Sequence, residues 1–224
     1  YPGREPDMGD FFRWQWNRFL HDEPEQRADL VPWQAIDPAR LNTTDGLSAT
    51  WLGHATVLLN SAGVRVLTDP IFSERASPVS WLGPKRLTAL PVDPASLPFV
   101  DVVVISHNHY DHLDLPSLHI LNTQVGGPPL FIVPLGNAAL LQSEGITNVK
   151  ELDWWNSTQI KDGLRITLVP TQHWSKRQLL GDRNEALWGG YVLQHQGRQA
   201  FFAGDAGYSK DFAVIKARFG AMDL

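Results

Sequence analysis

The sequence contains no cysteine. That excludes disulfides, thiolate metal ligands and a cysteine nucleophile, so any metal must be held by His, Asp, Glu or water. Long apolar runs are also missing. The longest, near Val100–Ile105, falls far short of the roughly 18 residues a membrane span needs and reads as a buried strand. Clusters of basic residues are scarce too: only the pairs Lys85-Arg86 and Lys176-Arg177 occur, in a chain of net charge −5. A nucleic-acid backbone is therefore not the expected partner, because phosphate binding needs clustered Lys and Arg. No leader pattern is visible at Tyr1-Pro2-Gly3, and since a leader can be removed this decides little. There is no internal repeat and no low-complexity segment.

What is present is an ordinary globular composition, 43% hydrophobic and 19% charged, over 224 residues, enough for one domain with a proper core. Gly and Pro are frequent, which predicts many turns and loops. Nine tryptophans stand out. Trp buries much area and suits surfaces that are half apolar and half wet, so a lipid-facing rim and an aromatic-rich core both remain open.

Residues 1–46 read as an N-terminal arm. Phe12, Trp16, Phe19 and Leu20 recur at helical spacing after Asp10, which predicts an amphipathic helix through Leu20. The prolines and charges of residues 21–46 predict an extended wrapping segment. The domain proper is expected over 47–224. Ala49–Leu59 reads as a strand interrupted at Gly53-His54, and Val64–Thr68 as the next, joined by a turn at Asn60–Gly63. Asp69–Pro98 is a long loop of the kind usually tied to function. Asp101–Ile105 is a β-branched run, hence a buried strand. Helices are predicted at Leu115–Asn122, Asn137–Glu144 and Lys210–Phe219. Strands are predicted at Leu130–Val133, Val149–Leu152, Gln159–Ile160, Arg165–Val169, Trp188–Gln194 and Gln199–Phe202. Strands in groups with helices between them fit an α+β fold, two packed sheets flanked by helices.

The chemistry centres on Ser106-His107-Asn108-His109-Tyr110-Asp111-His112-Leu113-Asp114. In extended chain, residues i and i+2 point the same way, so His107 and His109 can grip one cation. Asp111 and His112 follow as the chain turns, so they can face a second cation nearby. His173 and Asp205 each follow a predicted strand, as His107 does, and strand ends on one edge of a sandwich converge. A carboxylate such as Asp205 can bridge two metals, which a neutral imidazole cannot. Gly204 and Gly207 let the backbone pass close to the site. His119, His21 and His195 have no such company and read as structural or exposed, and Trp154-Trp155 as core.

This central motif resembles the His-X-His-X-Asp-His signature of the metallo-β-lactamase superfamily. A wider set of motifs, Trp51–Thr56, Thr68–Ser73, Ser106–Asp114, Gln172–Trp174 and Phe202–Tyr208, is similar to the branch of N-acyl-phosphatidylethanolamine-hydrolysing phospholipase D and its bacterial relatives. The resemblance runs from about Gly9 to the last residue. It implies the αββα sandwich of that superfamily and two divalent metal ions, with zinc the default and Mn, Fe or Ni not excluded by ligand type. It gives His107, His109 and His173 to one metal, Asp111 and His112 to the other, and Asp205 to both as a bridge. Asp111 and Asp205 would be the catalytic carboxylates. His54 is placed beside the site, and Asp69 is an expected acceptor for the outer N–H of a metal-bound imidazole.

The same resemblance calls for one more histidine beyond Phe202–Tyr208. The sequence ends at Leu224 without it, so the expectation is an incomplete fold lacking its last strands and helices, with a second chain or a homo-oligomer as one way of completing the site. The implied activity is hydrolysis of a phosphodiester, a phospholipid of the N-acyl-phosphatidylethanolamine kind, through a water activated by the two metals, with peripheral contact to a membrane. Two alternatives stay open: a metallo-hydrolase of soluble lactones or small phosphodiesters, and a metal-binding or interaction module without catalysis.

Overall fold

A computed structural model describes residues 31–43, 45–178 and 181–224, together with Gly9, Arg13, Trp16 and Asp29. The helix expected over Asp10–Leu20 and His21 thus lie outside the described residues, apart from Arg13 and Trp16. No described helix is long and apolar enough to cross a membrane.

Among the described residues ten strands form two sheets. The first has six strands in sequential order: β1 (Leu47–Gly53), β2 (Thr56–Ser61), β3 (Val64–Thr68), β4 (Val102–Val104), β5 (Leu130–Pro134) and β6 (Val149–Leu152). Strands β1 to β3 are antiparallel hairpins, and β3 to β6 run parallel. The second sheet is wholly antiparallel, with β7 (Ser157–Gln159), β8 (Arg165–Val169), β9 (Gly190–His195) and β10 (Arg198–Phe202) in the order β10-β9-β8-β7. Among the described residues three α-helices pack on the sheets: α1 (Leu115–Asn122), α2 (Ala138–Ser143) and α3 (Asp211–Phe219).

Side-chain alternation sorts the core into layers. On β4, Val102 and Val104 join Ile132, Ile166, Leu168 and Tyr191 between the two sheets. Val103, between them in sequence, faces the other way and packs with Leu118 and Leu121 of α1 and Leu141 of α2. On the far side of the second sheet, Val169 and Val192 pack with Ile215 of α3. The result is helix, sheet, sheet, helix, and a strand buried on both faces carries no polar alternation, as β4 shows. Tyr191 ties the sheets together, its hydroxyl donating to the Ile105 carbonyl at 2.8 Å.

One sequence expectation needs correction. Ala49–Leu59 is not a single interrupted strand. Gly53 (φ +113°) and His54 (φ +47°) turn the chain back, so β1 and β2 are antiparallel neighbours. The turn lifts His54 to the edge of the sheet where β3 and β4 also end. The arm enters the body at a 3-10 turn, Pro38–Asn42, capped by Asp37, whose carboxylate accepts from Ala39 N at 3.0 Å. Ile36 and Trp33 bond to the carbonyls of Pro91 and Ala89, at 2.7 and 2.9 Å.

Candidate metal centre

Four loops meet at one edge of the sandwich. They follow β3 (Asp69), β4 (His107 to His112), β8 (His173) and β10 (Asp205), with the His54 turn beside them. The first two belong to the six-stranded sheet and the next two to the other, so the site lies across the seam.

His107, His109 and His173 form a tight triangle. His107 Nε2 is 2.8 Å from His109 Nδ1 and 3.0 Å from His173 Nε2, and the third side is 3.3 Å. Four donors tetrahedrally arranged about a zinc ion, each about 2.1 Å from it, would stand about 3.4 Å apart, so a slight opening of the triangle accommodates such a cation. All three imidazoles favour the neutral, ligating form. Burial and neighbouring histidines push His107 far down and His109 down to about 4, and burial lowers His173 as well.

The second candidate position gathers His112, Asp111 and His54, whose ligand atoms all lie within 4.8 Å of one another. His112 is fully buried, and its Nε2 has no hydrogen-bond partner. The nearest oxygens are Asp205 Oδ1 at 3.3 Å and Asp111 Oδ2 at 3.5 Å. An orphaned nitrogen facing two carboxylates is what a bound cation would resolve. Burial alone would lower His112, but the carboxylates of Asp111, Asp205 and Asp69 outweigh it and push its pKa up to about 12. For Asp111, burial favours the neutral acid. Contact with His112 and His54 overrides this and holds the group ionised. Asp205 is lowered chiefly by His112.

Asp69 orders both positions from beneath. It is fully buried and accepts from Ser106 N (2.6 Å), Ser106 Oγ (2.5 Å) and His112 Nδ1 (2.6 Å). Ser106 Oγ, having donated to Asp69, lies 2.8 Å from His107 Nδ1, so that nitrogen is the donor. Each bond fixes a tautomer, turning the Nε2 lone pairs of His112 and His107 towards the site. With its oxygens so engaged, Asp69 is placed to support the candidate ligands rather than to serve as one, although it lies within reach of His107 and His112. His109 lacks such support: its Nε2 is buried without a partner.

The structure therefore brings together His54, Asp69, His107, His109, Asp111, His112, His173 and Asp205. His54 stands closer than the sequence suggested, with Nε2 3.0 Å from Asp111 Oδ2. Asp205 touches the His112 side, and no contact with the three-histidine triangle is seen among the described residues. Gly204 makes this approach possible. Its φ is +59°, and a Cβ there would sit 2.6 Å from that of Ser106. His195, expected to lack company, is buried and bonds to Ser61 Oγ and the Asp162 carbonyl, both at 2.9 Å, a structural role far from the site.

Sequence reasoning missed Arg177. Its Nη1 donates to the carbonyls of Asn108 (3.1 Å) and Leu113 (2.8 Å), and its guanidinium lies 4.3 Å over the Tyr110 ring. Tyr110 Oη in turn donates to the Arg177 carbonyl at 3.0 Å. The loop of candidate ligands is thus gripped at both ends by the loop carrying His173. Nothing in the order of residues announces this, since the partners are 64 to 69 positions apart.

A cavity of about 800 Å³ opens over the site, walled by Trp51, Ile71, Arg86, Leu87 and Trp174 and reaching His54, His109 and Asp111. A second groove of about 460 Å³, lined by Trp33, Ile36 and Pro91, shares Trp51, Gly53 and Thr88 with it. The long loop after β3 supplies much of the cavity wall, as its length suggested.

Comparison with known proteins gives a consistent result. Residues 64–224 match the family described as Beta-lactamase superfamily domain. The chain is 44% identical over 176 residues to the mitochondrial N-acyl-phosphatidylethanolamine-hydrolyzing phospholipase D of Saccharomyces cerevisiae, covering 76% of this chain and 37% of that protein. It is 35% identical over 235 residues to N-acyl-phosphatidylethanolamine-hydrolyzing phospholipase D 1 of Caenorhabditis elegans, covering 99% of this chain and 65% of that protein. Among solved structures, an isothiocyanate hydrolase from Delia radicum gut bacteria superposes with TM-score 0.59 at 28% identity, over 76% of this chain and 67% of that one. The chain thus spans well under half of the yeast relative and just under two thirds of the nematode one.

Proposed function

From the premise that this chain belongs to the β-lactamase superfamily and carries its metallo-β-lactamase sandwich, we propose that it is a dinuclear metal-dependent hydrolase of phosphodiesters of the N-acyl-phosphatidylethanolamine kind. The observation that carries this reading is the convergence of the His107, His109 and His173 nitrogens, with His109 at the wall of a largely apolar cavity. His107, His109 and His173 would hold one ion, and Asp111 and His112 the other, with Asp205 between the two and His54 beside the second. Zinc suits this donor set, and Mn, Fe or Ni also match it by ligand type.

Bound there, the two ions would supply Lewis acidity towards phosphoryl oxygens and acidify a water. The protein's own groups do the rest. Asp69 and Ser106 hold two imidazoles in the ligating tautomer. Asp111 stays ionised at the cavity wall, where it orients a water by accepting its proton in a hydrogen bond. Trp51, Ile71 and Trp174 line the cavity beside the reacting group, and a bound substrate covering them would displace water and strengthen the charge interactions there. Acyl chains match the apolar cavity and the adjoining groove. Exposed Trp33, Trp51, Trp81 and Leu82 support peripheral contact with a lipid surface.

The test is turnover by the zinc- or manganese-loaded chain of three substrates: micellar N-acyl-phosphatidylethanolamine, a water-soluble phosphodiester and a lactone. Phosphatidic acid and an N-acylethanolamine should appear from the first, and His107→Ala should abolish them. A chain loaded with two metals that opens only the lactone would refute the phosphodiester reading in favour of a metallo-hydrolase of other soluble substrates. The likeness to an isothiocyanate hydrolase keeps that second reading in view. A fully loaded chain inert towards all three would favour a binding module.

A further inference from the structure

We propose that Arg86 forms an oxyanion subsite in the metal cleft and takes a non-bridging phosphoryl oxygen of the substrate; this rests on the phosphodiester reading above. Arg86 lines the same cavity as His54, His109 and Asp111. It is half-buried, and no carboxylate contacts it among the described residues. Its neighbour Lys85, also on the cavity wall, is paired with Glu74 at 2.8 Å, so Arg86 is the cation of the two without a carboxylate partner among the described residues.

The guanidinium is held in place by neutral oxygens. Nη2 donates to the Ile71 carbonyl at 2.5 Å and more weakly to that of Ser73 at 3.4 Å. These bonds fix the plane of the fork without neutralising its charge. Nε is buried and has no partner, and no bond from Nη1 is seen among the described residues. Burial lowers the pKa of the group, and the more distant Asp114 offsets part of that. Nε is enclosed, so the donor left for an anion is Nη1, beside Gly53 on the cavity wall, and a guanidinium held in one plane with such a donor is suited to a phosphate or carboxylate oxygen.

Gly53 shows that the space has been kept for it. A Cβ at that position would lie 3.0 Å from Arg86 Nη1, at a φ of +113° that side chains rarely adopt. The turn that presents His54 to Asp111 is therefore the same turn against which the guanidinium rests. One structural detail places a candidate ligand and an anion receptor on the same wall of the cavity.

The experiment compares wild type, Arg86→Gln and Arg86→Lys, each loaded with zinc and checked for metal content and melting temperature. Binding of inorganic phosphate is measured by calorimetry. KM and kcat are measured for bis(4-nitrophenyl) phosphate and for a neutral 4-nitrophenyl ester. Losing a charged hydrogen bond should raise the phosphate Kd and the diester KM about ten- to hundredfold in Arg86→Gln. The rise should be several-fold in Arg86→Lys, which keeps the charge and loses the fork. The effect on the neutral ester should be at least tenfold smaller. Equal losses for charged and neutral substrates would overturn the proposal and leave Arg86 as a brace for Ile71 and Ser73. So would an unchanged phosphate Kd. If Arg86→Gln does not fold, Arg86→Lys decides by the same criteria. Should wild type bind phosphate through Arg86 yet turn over no diester, the subsite stands and the phosphodiester reading falls. Diester turnover with a KM independent of Arg86 does the opposite: the phosphodiester reading stands and the subsite falls.

Discussion

Replacing Asp69 by Asn keeps its shape and removes its charge, and the consequences can be worked out bond by bond. Asp69 accepts three hydrogen bonds, from Ser106 N, Ser106 Oγ and His112 Nδ1, and has no surface exposure. An amide has one acceptor end and one donor end. If its NH₂ faces Ser106 N, two donors oppose each other in a dry interior. If it faces His112, that ring must shift its proton to Nε2, the nitrogen meant for metal. Losing one or two charged, buried hydrogen bonds should cost roughly 2–4 kcal/mol of stability. Supporting groups of this kind typically alter metal affinity about 10- to 100-fold. The loss should be larger at the His112 position, which Asp69 touches directly, than at the three-histidine position, which it reaches through Ser106. The assay is competition against a chromophoric chelator for each of two equivalents, beside a thermal melt. Two equivalents bound by folded Asp69→Asn with wild-type affinity would refute this account of the centre.

Metal uptake should also depend on pH in an uneven way. His112, raised to about 12 without metal, carries a proton at pH 7 that a cation must displace, whereas His107, His109 and His173 are lowered and already neutral. Affinity at the His112 position should therefore rise about tenfold per pH unit between 6 and 8, with one proton released, while the other position stays nearly level; calorimetry in buffers of different ionisation enthalpy measures both. Gly204→Ala should lower stability by roughly 2–4 kcal/mol in denaturant melts, because strain at positive φ adds to the clash with Ser106. Arg177→Met should release metal faster and cost about 2–4 kcal/mol, since two carbonyls of the ligand loop lose their donor.

The strands and the ligand loop were legible because their signals are local. The Val102–Val104 run has no polar alternation, and His107 and His109 share a face by period-two geometry. The pairing of β1 with β2 was not, because a Gly-His step inside an apolar stretch reads equally as a bulge or as a turn. His54 Nε2 reaches Asp111 across 57 positions, and that meeting depends on the sharpness of the turn rather than on any spacing. Arg86 and Arg177 looked like members of two unremarkable basic pairs. What distinguishes them is which carbonyls surround them, a property of the assembled loops alone.

The candidate ligands come from both sheets: His107, His109, Asp111 and His112 from the loop after β4, and His173 and Asp205 from loops of the second sheet. A cation held there acts as a rivet through the laminate. Separating the layers would mean giving up the ion, so loading and cohesion share one equilibrium. Chelation should thus loosen the seam at Tyr191 and Ile105 as well as silence the site, and hydrogen exchange across β4 and β9 would register the slackening.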